Sequence, residues 1–303
     1  MYPLIVWLMG KRVFGMKVGI GRCNGTFGEL VQGVLCERPF LISLPIPILK
    51  SNAVFIPHNK MGEITGSLSN TKAVEACKKV FQWFDLKGGG HLEVNSNIPR
   101  GKGLASSSAD VVAAMKAVAD SYSIPLSEEI ISRISSEIEP TDGVMYKEVV
   151  AYDYIHGQLI ETLGPLPSFV LIGMDLGGTI NTLEFNRQPK RYSKEDQAVF
   201  SKAYDLVKLG IEFQDLSFVC QAATLSASIN QKILPKRYFS EFKSFALKYD
   251  GGLIIAHSGT VLGVLLNPSF EYIGEIAETI SKRIIQLSNQ PNMKPFYYFH
   301  RSD

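Results

Sequence analysis

Residues 97–110 read Asn-Ile-Pro-Arg-Gly-Lys-Gly-Leu-Ala-Ser-Ser-Ser-Ala-Asp, and this stretch decides the fold. Before it, residues 91–98 alternate, with Leu92, Val94 and Ile98 between polar neighbours, which predicts a strand closed by Pro99. Gly101 and Gly103 let the backbone turn tightly and carry no Cβ to obstruct a ligand. After it, Val111, Met115, Val118 and Tyr122 recur at helical spacing on one face, with Ser106–Ser108 offering N-cap hydroxyls. A helix start has unpaired N–H groups and the positive end of the dipole, so strand, glycine loop and helix together suit an anion such as phosphate. Ser107-Ser108-Ala109-Asp110 also reads as a capping box, which opens many helices that bind nothing. The stretch is not a Walker loop, because Gly103 follows Lys102 where Ser or Thr is required. Nor is it a dinucleotide fingerprint, since Ser106 stands in place of the last glycine.

Composition narrows the classes. The chain has 303 residues and is 46% hydrophobic, enough for a large core and better suited to two domains than one. A formal net charge of +2 without runs of one sign gives no footprint for nucleic acid or an anionic membrane. The 4 cysteines, Cys23, Cys36, Cys77 and Cys220, form no CxxC pair and read as buried thiols of a cytoplasmic protein. The apolar run 2–9 is followed, not preceded, by Lys11 and Arg12, unlike a signal peptide, and is too short to span a membrane. It fits an extra strand, a disordered tail, or a start upstream of a true beginning at Met16.

The loop resembles the second motif of the GHMP kinases, the superfamily of galactokinase, homoserine kinase and mevalonate kinase, which runs Pro-x-x-x-Gly-Leu-Gly-Ser-Ser-Ala-Ala. Pro99, Gly103, Leu104, Ser106, Ser107 and Ala109 match, while Ala105 and Ser108 depart from the commonest form. The resemblance implies that Pro99, Gly101, Lys102, Gly103, Leu104, Ala105, Ser106, Ser107 and Ser108 wrap the phosphates of ATP, with Ser107 helping to hold Mg2+. Lys102 reads equally as an exposed loop lysine.

Upstream, 17–22 is a predicted strand running into a glycine-rich turn over 23–33 that contains Asn24, Thr26, Gly28, Glu29 and Gly33. Alone it reads as a hairpin. Set before the phosphate loop, it resembles the first GHMP motif, which lines the acceptor pocket, so Asn24, Thr26 and Glu29 are expected to face the acceptor. Its form Gly-Glu-Leu-x-Gln-Gly is similar to the L-threonine kinases of cobamide assembly and propanediol utilisation, and Leu30 replaces the histidine of a galactokinase.

Downstream, a predicted helix over 126–137 runs into Ser-Glu-Ile-Glu-Pro-Thr-Asp-Gly, residues 136–143, with Glu137, Glu139 and Asp142 close together. Most acidic clusters are solvated helix ends. Carboxylates at a helix C-terminus oppose the dipole, which a cation would compensate. The resemblance implies a metal glutamate here, Glu139 in preference to Glu137, and a base, Asp142.

Elsewhere, strands are expected at 40–49, 52–57, 148–154 and 158–163, and a helix at 70–84. Gly164-Pro-Leu-Pro167 marks a boundary between domains 1–164 and 165–303. The second half reads strand 169–174, helices 193–209, 215–230 and 238–249, strands 251–257 and 261–266, helix 273–287 and strand 296–299. That order fits a ferredoxin-like layer. Asp175 follows a buried strand and either closes an Asx-turn or meets the ammonium of an amino acid. His257-Ser-Gly-Thr-Val-Leu-Gly263 resembles the third GHMP motif, a turn that backs the nucleotide loop.

The expected fold is therefore α+β: a two-domain GHMP kinase with an N-terminal α/β domain carrying the glycine-rich phosphate loop and a C-terminal ferredoxin-like domain. The resemblance implies ATP, Mg2+ and a small-molecule acceptor, L-threonine before L-serine or homoserine, handled by a monomer or homodimer. Ser107, Glu139 and Asp142 are the expected catalytic set. Their presence favours an enzyme over a silent ligand sensor of the same fold.

Overall fold

A computed structural model describes residues 16–67, 70–181, 184, 185, 188, 190–288 and 294–302; the apolar run 2–9 lies outside them. The chain opens with two long antiparallel strands, β1 (Gly19–Leu35) and β2 (Arg38–His58). Cys36 and Glu37 join them, both at positive φ (48° and 66°), the backbone of a type I′ turn built without its usual Asn-Gly. Cys36 is exposed there, contrary to the expectation of four buried thiols.

The turn expected over 23–33 is instead the middle of β1. Register shifts at Asn24/Gly25, Thr26/Glu29 and Glu29/Val31 absorb the glycines as bulges, so the strand bends without reversing. Likewise 40–49 and 52–57 are one strand, irregular after the two prolines, where Ile46 faces Gly25 and Lys50 faces Asn24.

Next come β3 (Ile64–Gly66), α1 (Thr71–Trp83), β4 (Gly89–Ser96), α2 (Ser106–Tyr122), α3 (Glu128–Ile138), β5 (Val149–Asp153) and β6 (Gln158–Gly164). Helix α2 is buried on more than the one expected face. Ala109, Ala113, Ala114 and Ala117 are wholly buried. A Cβ on Gly19 or Gly21 of β1 would fall 2.0 or 1.9 Å from the carbonyl of Ala117 or Ala113. Glycine facing alanine lets α2 lie directly on β1, which fixes where its N-terminus emerges.

The second half supplies β7 (Phe169–Asp175), α4 (Lys194–Glu212), α5 (Leu216–Ile233), α6 (Phe239–Lys248), β8 (Gly252–Ile255), β9 (Val261–Leu266), α7 (Ile273–Ser288) and β10 (Phe296–His300). Its strands order β10-β7-β9-β8, the antiparallel arrangement of a ferredoxin-like layer. The sheet continues β8-β1-β2-β4-β3, with β5 paired to β2 and β6 to β5. The β8–β1 junction is the single pairing of Ile255 with Glu29. There Gly28, at φ +63°, brings the backbone so close to Ile255 that a Cβ would meet its carbonyl oxygen at 2.6 Å. Glu29 therefore sits where the two halves of the sheet meet. No helix among the described residues is long and apolar enough to cross a membrane.

Candidate active site

The loop from β4 to α2 is anchored by Asn97, whose side chain accepts from the amide of Lys50 (2.7 Å) and donates to the carbonyl of Ile48 (2.9 Å). Gly101, Gly103 and Ala105 then take positive φ (71°, 79° and 58°). Alternation of φ sign turns successive N–H groups toward one side, the backbone pattern of an anion nest. The carbonyls are taken from the other side: Ile180 donates to Gly101, Thr260 to Lys102 and Thr26 to Leu104. Among the described residues, none of the backbone N–H groups of Gly101–Ser108 has an acceptor.

The turn between β8 and β9, carrying Ser258-Gly259-Thr260, packs beneath this loop. A Cβ on Gly103 would stand 2.4 Å from that of Ala256, and one on Gly259 would stand 2.1 Å from the carbonyl oxygen of Lys102. These two glycines thus serve packing between motifs as much as ligand access.

Helix α2 has no side-chain cap, and its N-cap position is Ala105. The capping-box alternative does not form. Ser107 donates to Glu139, whose other oxygen is held by Lys72. Ser108 donates to Asp142 (3.2 Å) and accepts from its amide (3.3 Å). Asp110 turns away to Ser51 (2.6 Å) and Arg100 (3.3 Å). Two hydroxyls of the first helical turn thus hold two carboxylates from the end of α3, which Ile138 and Pro140 bring across the mouth of α2.

Asp142 is half-buried, and its carboxyl is pushed up to about 6, chiefly by desolvation and further by Glu139, against the pull of the Ser108 hydroxyl. Glu29 is 4% exposed, and its Oε2 has no hydrogen-bond partner among the described residues. Burial and then the charge of Asp142 hold its carboxyl well above the usual range. Glu29, Ser107, Glu139, Asp142, Tyr154 and His257 line one cleft of about 350 Å³, together with the glycine loop and Lys72. His257 is buried and neutral, its pKa depressed by burial and by Lys190 and Lys236.

Other candidates lie elsewhere. Glu137 points away and pairs with Lys79 (2.8 Å). Asn24 and Thr26 line a neighbouring cavity of about 330 Å³ rather than this cleft. Asp175 closes an Asx-turn to the amide of Gly177 (3.0 Å), accepts from Thr260 (2.5 Å) and pairs with Lys102 (2.7 Å). That ion pair, with a bond to the carbonyl of Gly178 (2.6 Å), draws the Lys102 ammonium away from the loop interior.

Residues 71–145, from α1 through the acidic segment, match the model of the GHMP kinases N terminal domain. L-threonine kinase of Salmonella typhimurium is 29% identical over 256 residues, covering 84% of each chain. L-threonine kinase of Citrobacter freundii is 26% identical over 254 residues, covering 82% of this chain and 87% of that one. The similarities are to GHMP kinases, and among them to L-threonine kinases. The crystal structure of homoserine kinase from Cytophaga hutchinsonii has the same fold, with a TM-score of 0.68 over 95% of this chain and 96% of that one at 14% identity.

The protein is an ATP-dependent phosphotransferase. Sequence reasoning missed two cations, Lys72 in the site and Lys190 against two side chains that line it. Lys72 stands in the first turn of α1, where the dipole disfavours a positive charge, and that mismatch was the available signal. Lys190 follows Pro189 in a stretch without periodicity, and nothing local marks it.

Proposed function

We propose that this kinase transfers the γ-phosphoryl group of ATP to the hydroxyl of L-threonine, giving O-phospho-L-threonine for cobamide assembly. The observation that carries the mechanism is the meeting of Ser107 with Glu139 and of Ser108 with Asp142 at the uncapped start of α2. Phosphoryl transfer asks a protein mainly for positioning and charge neutralisation. The N–H groups of Gly101–Ser108 cradle the phosphates, helped by the helix dipole.

The donor set fits magnesium. Ser107 and Glu139 offer a hydroxyl and a carboxylate, both hard oxygen ligands. Among the described residues no cluster of three or more His, Cys, Asp or Glu forms a cage. Magnesium normally takes one or two protein ligands and completes its shell with phosphate oxygens and water. When bound, the ion neutralises charge on the transferring phosphates. Lys72 balances the second oxygen of Glu139.

Asp142 accepts the hydroxyl proton of the acceptor. With its carboxyl near 6 it is ionised at neutral pH yet a better base than an ordinary aspartate. Ser108 fixes the direction from which it approaches. Glu29, buried with one unpartnered oxygen beside Asp142, receives the acceptor's ammonium. L-threonine is supported by the two L-threonine kinases similar to this chain over most of its length. L-serine lacks only a methyl, which an apolar pocket discriminates by about 1–3 kcal/mol.

ADP release with magnesium-ATP across L-threonine, L-serine, L-homoserine, galactose and mevalonate tests the assignment. Turnover highest with L-threonine is expected. Turnover confined to galactose or mevalonate overturns it.

A further inference from the structure

One half-buried cation, held by two side chains that line the cleft, has no counter-charge among the described residues. The Lys190 ammonium lies 3.1 Å from His257 Nε2, 3.3 Å from the Tyr154 hydroxyl and 4.2 Å from the centre of the Phe185 ring. All three partners are uncharged. Among the described residues no carboxylate lies within ion-pair distance of it, and burial alone draws its pKa down to about 8. The other desolvated lysine among the described residues, Lys236, has a structural task, capping the carbonyl of Gly259 at 2.6 Å. Lys190 caps no backbone group.

Its protons are accounted for with one left over. Gln32 Oε1, 2.7 Å from His257 Nδ1, fixes the histidine proton on Nδ1, so Nε2 accepts from Lys190. Tyr154 takes a second proton. An ammonium has three. Both acceptors line the cleft, and Tyr154 is close enough to Glu29 and Asp142 for their charges to raise its pKa, after burial, Tyr192 and Asp153. Among the described residues the cleft thus holds a buried carboxylate oxygen with no donor, and two of its lining side chains hold a desolvated ammonium with no anion. A buried charge without a partner is costly, and removal of either cost by a ligand favours its binding. A zwitterion matches both.

We infer that Lys190 receives the α-carboxylate of an amino-acid acceptor whose α-ammonium is received by Glu29. The inference rests on the acceptor reading above and adds the residue that makes the kinase selective for α-amino acids over other alcohols.

The test compares the wild-type chain with Lys190→Met on L-threonine and on L-threoninamide, which keeps the hydroxyl and ammonium but lacks the carboxylate. The wild type is expected to favour L-threonine strongly. In Lys190→Met the KM for L-threonine is expected to rise about 100-fold, the KM for ATP to change less than about threefold, and the preference over L-threoninamide to collapse. Lys190→Arg is expected to recover part of that preference. Glu29→Gln, which weakens the other end, is expected to raise the KM for both acceptors and keep the preference. Because Lys190→Met removes a desolvated charge, its ligand-free melting temperature is expected to equal or exceed that of the wild type. An unchanged preference in Lys190→Met, with the wild type turning over L-threonine, overturns the inference and leaves the acceptor reading intact. A wild-type chain that turns over no amino acid overturns both.

Discussion

Helices α2 and α4 both follow the pattern serine, two residues, aspartate, and use it in opposite ways. In α4 the box closes: Ser193 accepts from the amide of Asp196 (3.1 Å), and Asp196 accepts from the amide of Ser193 (3.2 Å). In α2 the same pattern, Ser107 and Asp110, caps nothing. Ser107 turns to Glu139, Asp110 turns to Ser51, and the first-turn N–H groups stay open. One helix satisfies its own terminus and the other leaves it for a ligand. An uncapped, enclosed helix start leaves N–H groups unsatisfied, which an anion satisfies, and a cation offsets the repulsion between that anion and the neighbouring carboxylates.

The largest break in this contrast is at the carboxylate Ser108 holds. Asp142→Asn is expected to lower kcat by about 100-fold or more, with the KM for ATP retained, measured by coupled ADP release. The same variant has a pH signature in unfolding. The Asp142 carboxyl is raised in the folded state from 3.8 to about 6. Its contribution to stability is therefore full below the unfolded value and lost as pH rises through about 6. Ligand-free Asp142→Asn is expected to gain on the wild type between pH 4 and pH 7, by on the order of 2 kcal/mol in urea melts.

Next in size is Ser107→Ala, expected to raise the magnesium concentration needed for half-maximal rate by about 10- to 100-fold. Ser193→Ala gives the complement: stability falls by about 1 kcal/mol in denaturant unfolding, with kcat unchanged. Equal behaviour of the two serines, in either assay, erases the distinction. Ala105→Gly is the smallest effect. Ala105 sits in the left-handed region (φ 58°, ψ 30°), where the related motif carries glycine. Release of that strain outweighs the entropy glycine adds to the unfolded chain, so a gain of about 0.5 kcal/mol is expected in the same assay.

The order of strand, glycine loop and helix around residue 100 was legible because periodicity and glycine placement are local properties. The ferredoxin-like half was legible for the same reason. The middle of β1 was misread as a turn. Its glycines create bulges and close approaches whose meaning lies in partners, Ile255 for Gly28 and Phe200 for Gly33, far along the chain. The choice between capping box and open helix start at α2 was not legible locally. Whether a serine hydroxyl serves its own helix or Glu139, 32 residues on, is decided by tertiary packing. Lys190 was invisible because its significance is the absence of a nearby carboxylate, which no sequence pattern records.

The most direct test of the phosphotransfer account is phosphorus NMR of the products formed from magnesium-ATP and L-threonine. A phosphomonoester on the threonine β-oxygen, appearing in step with ADP, is the predicted result. ADP accompanied only by inorganic phosphate, with no phosphothreonine, would contradict it.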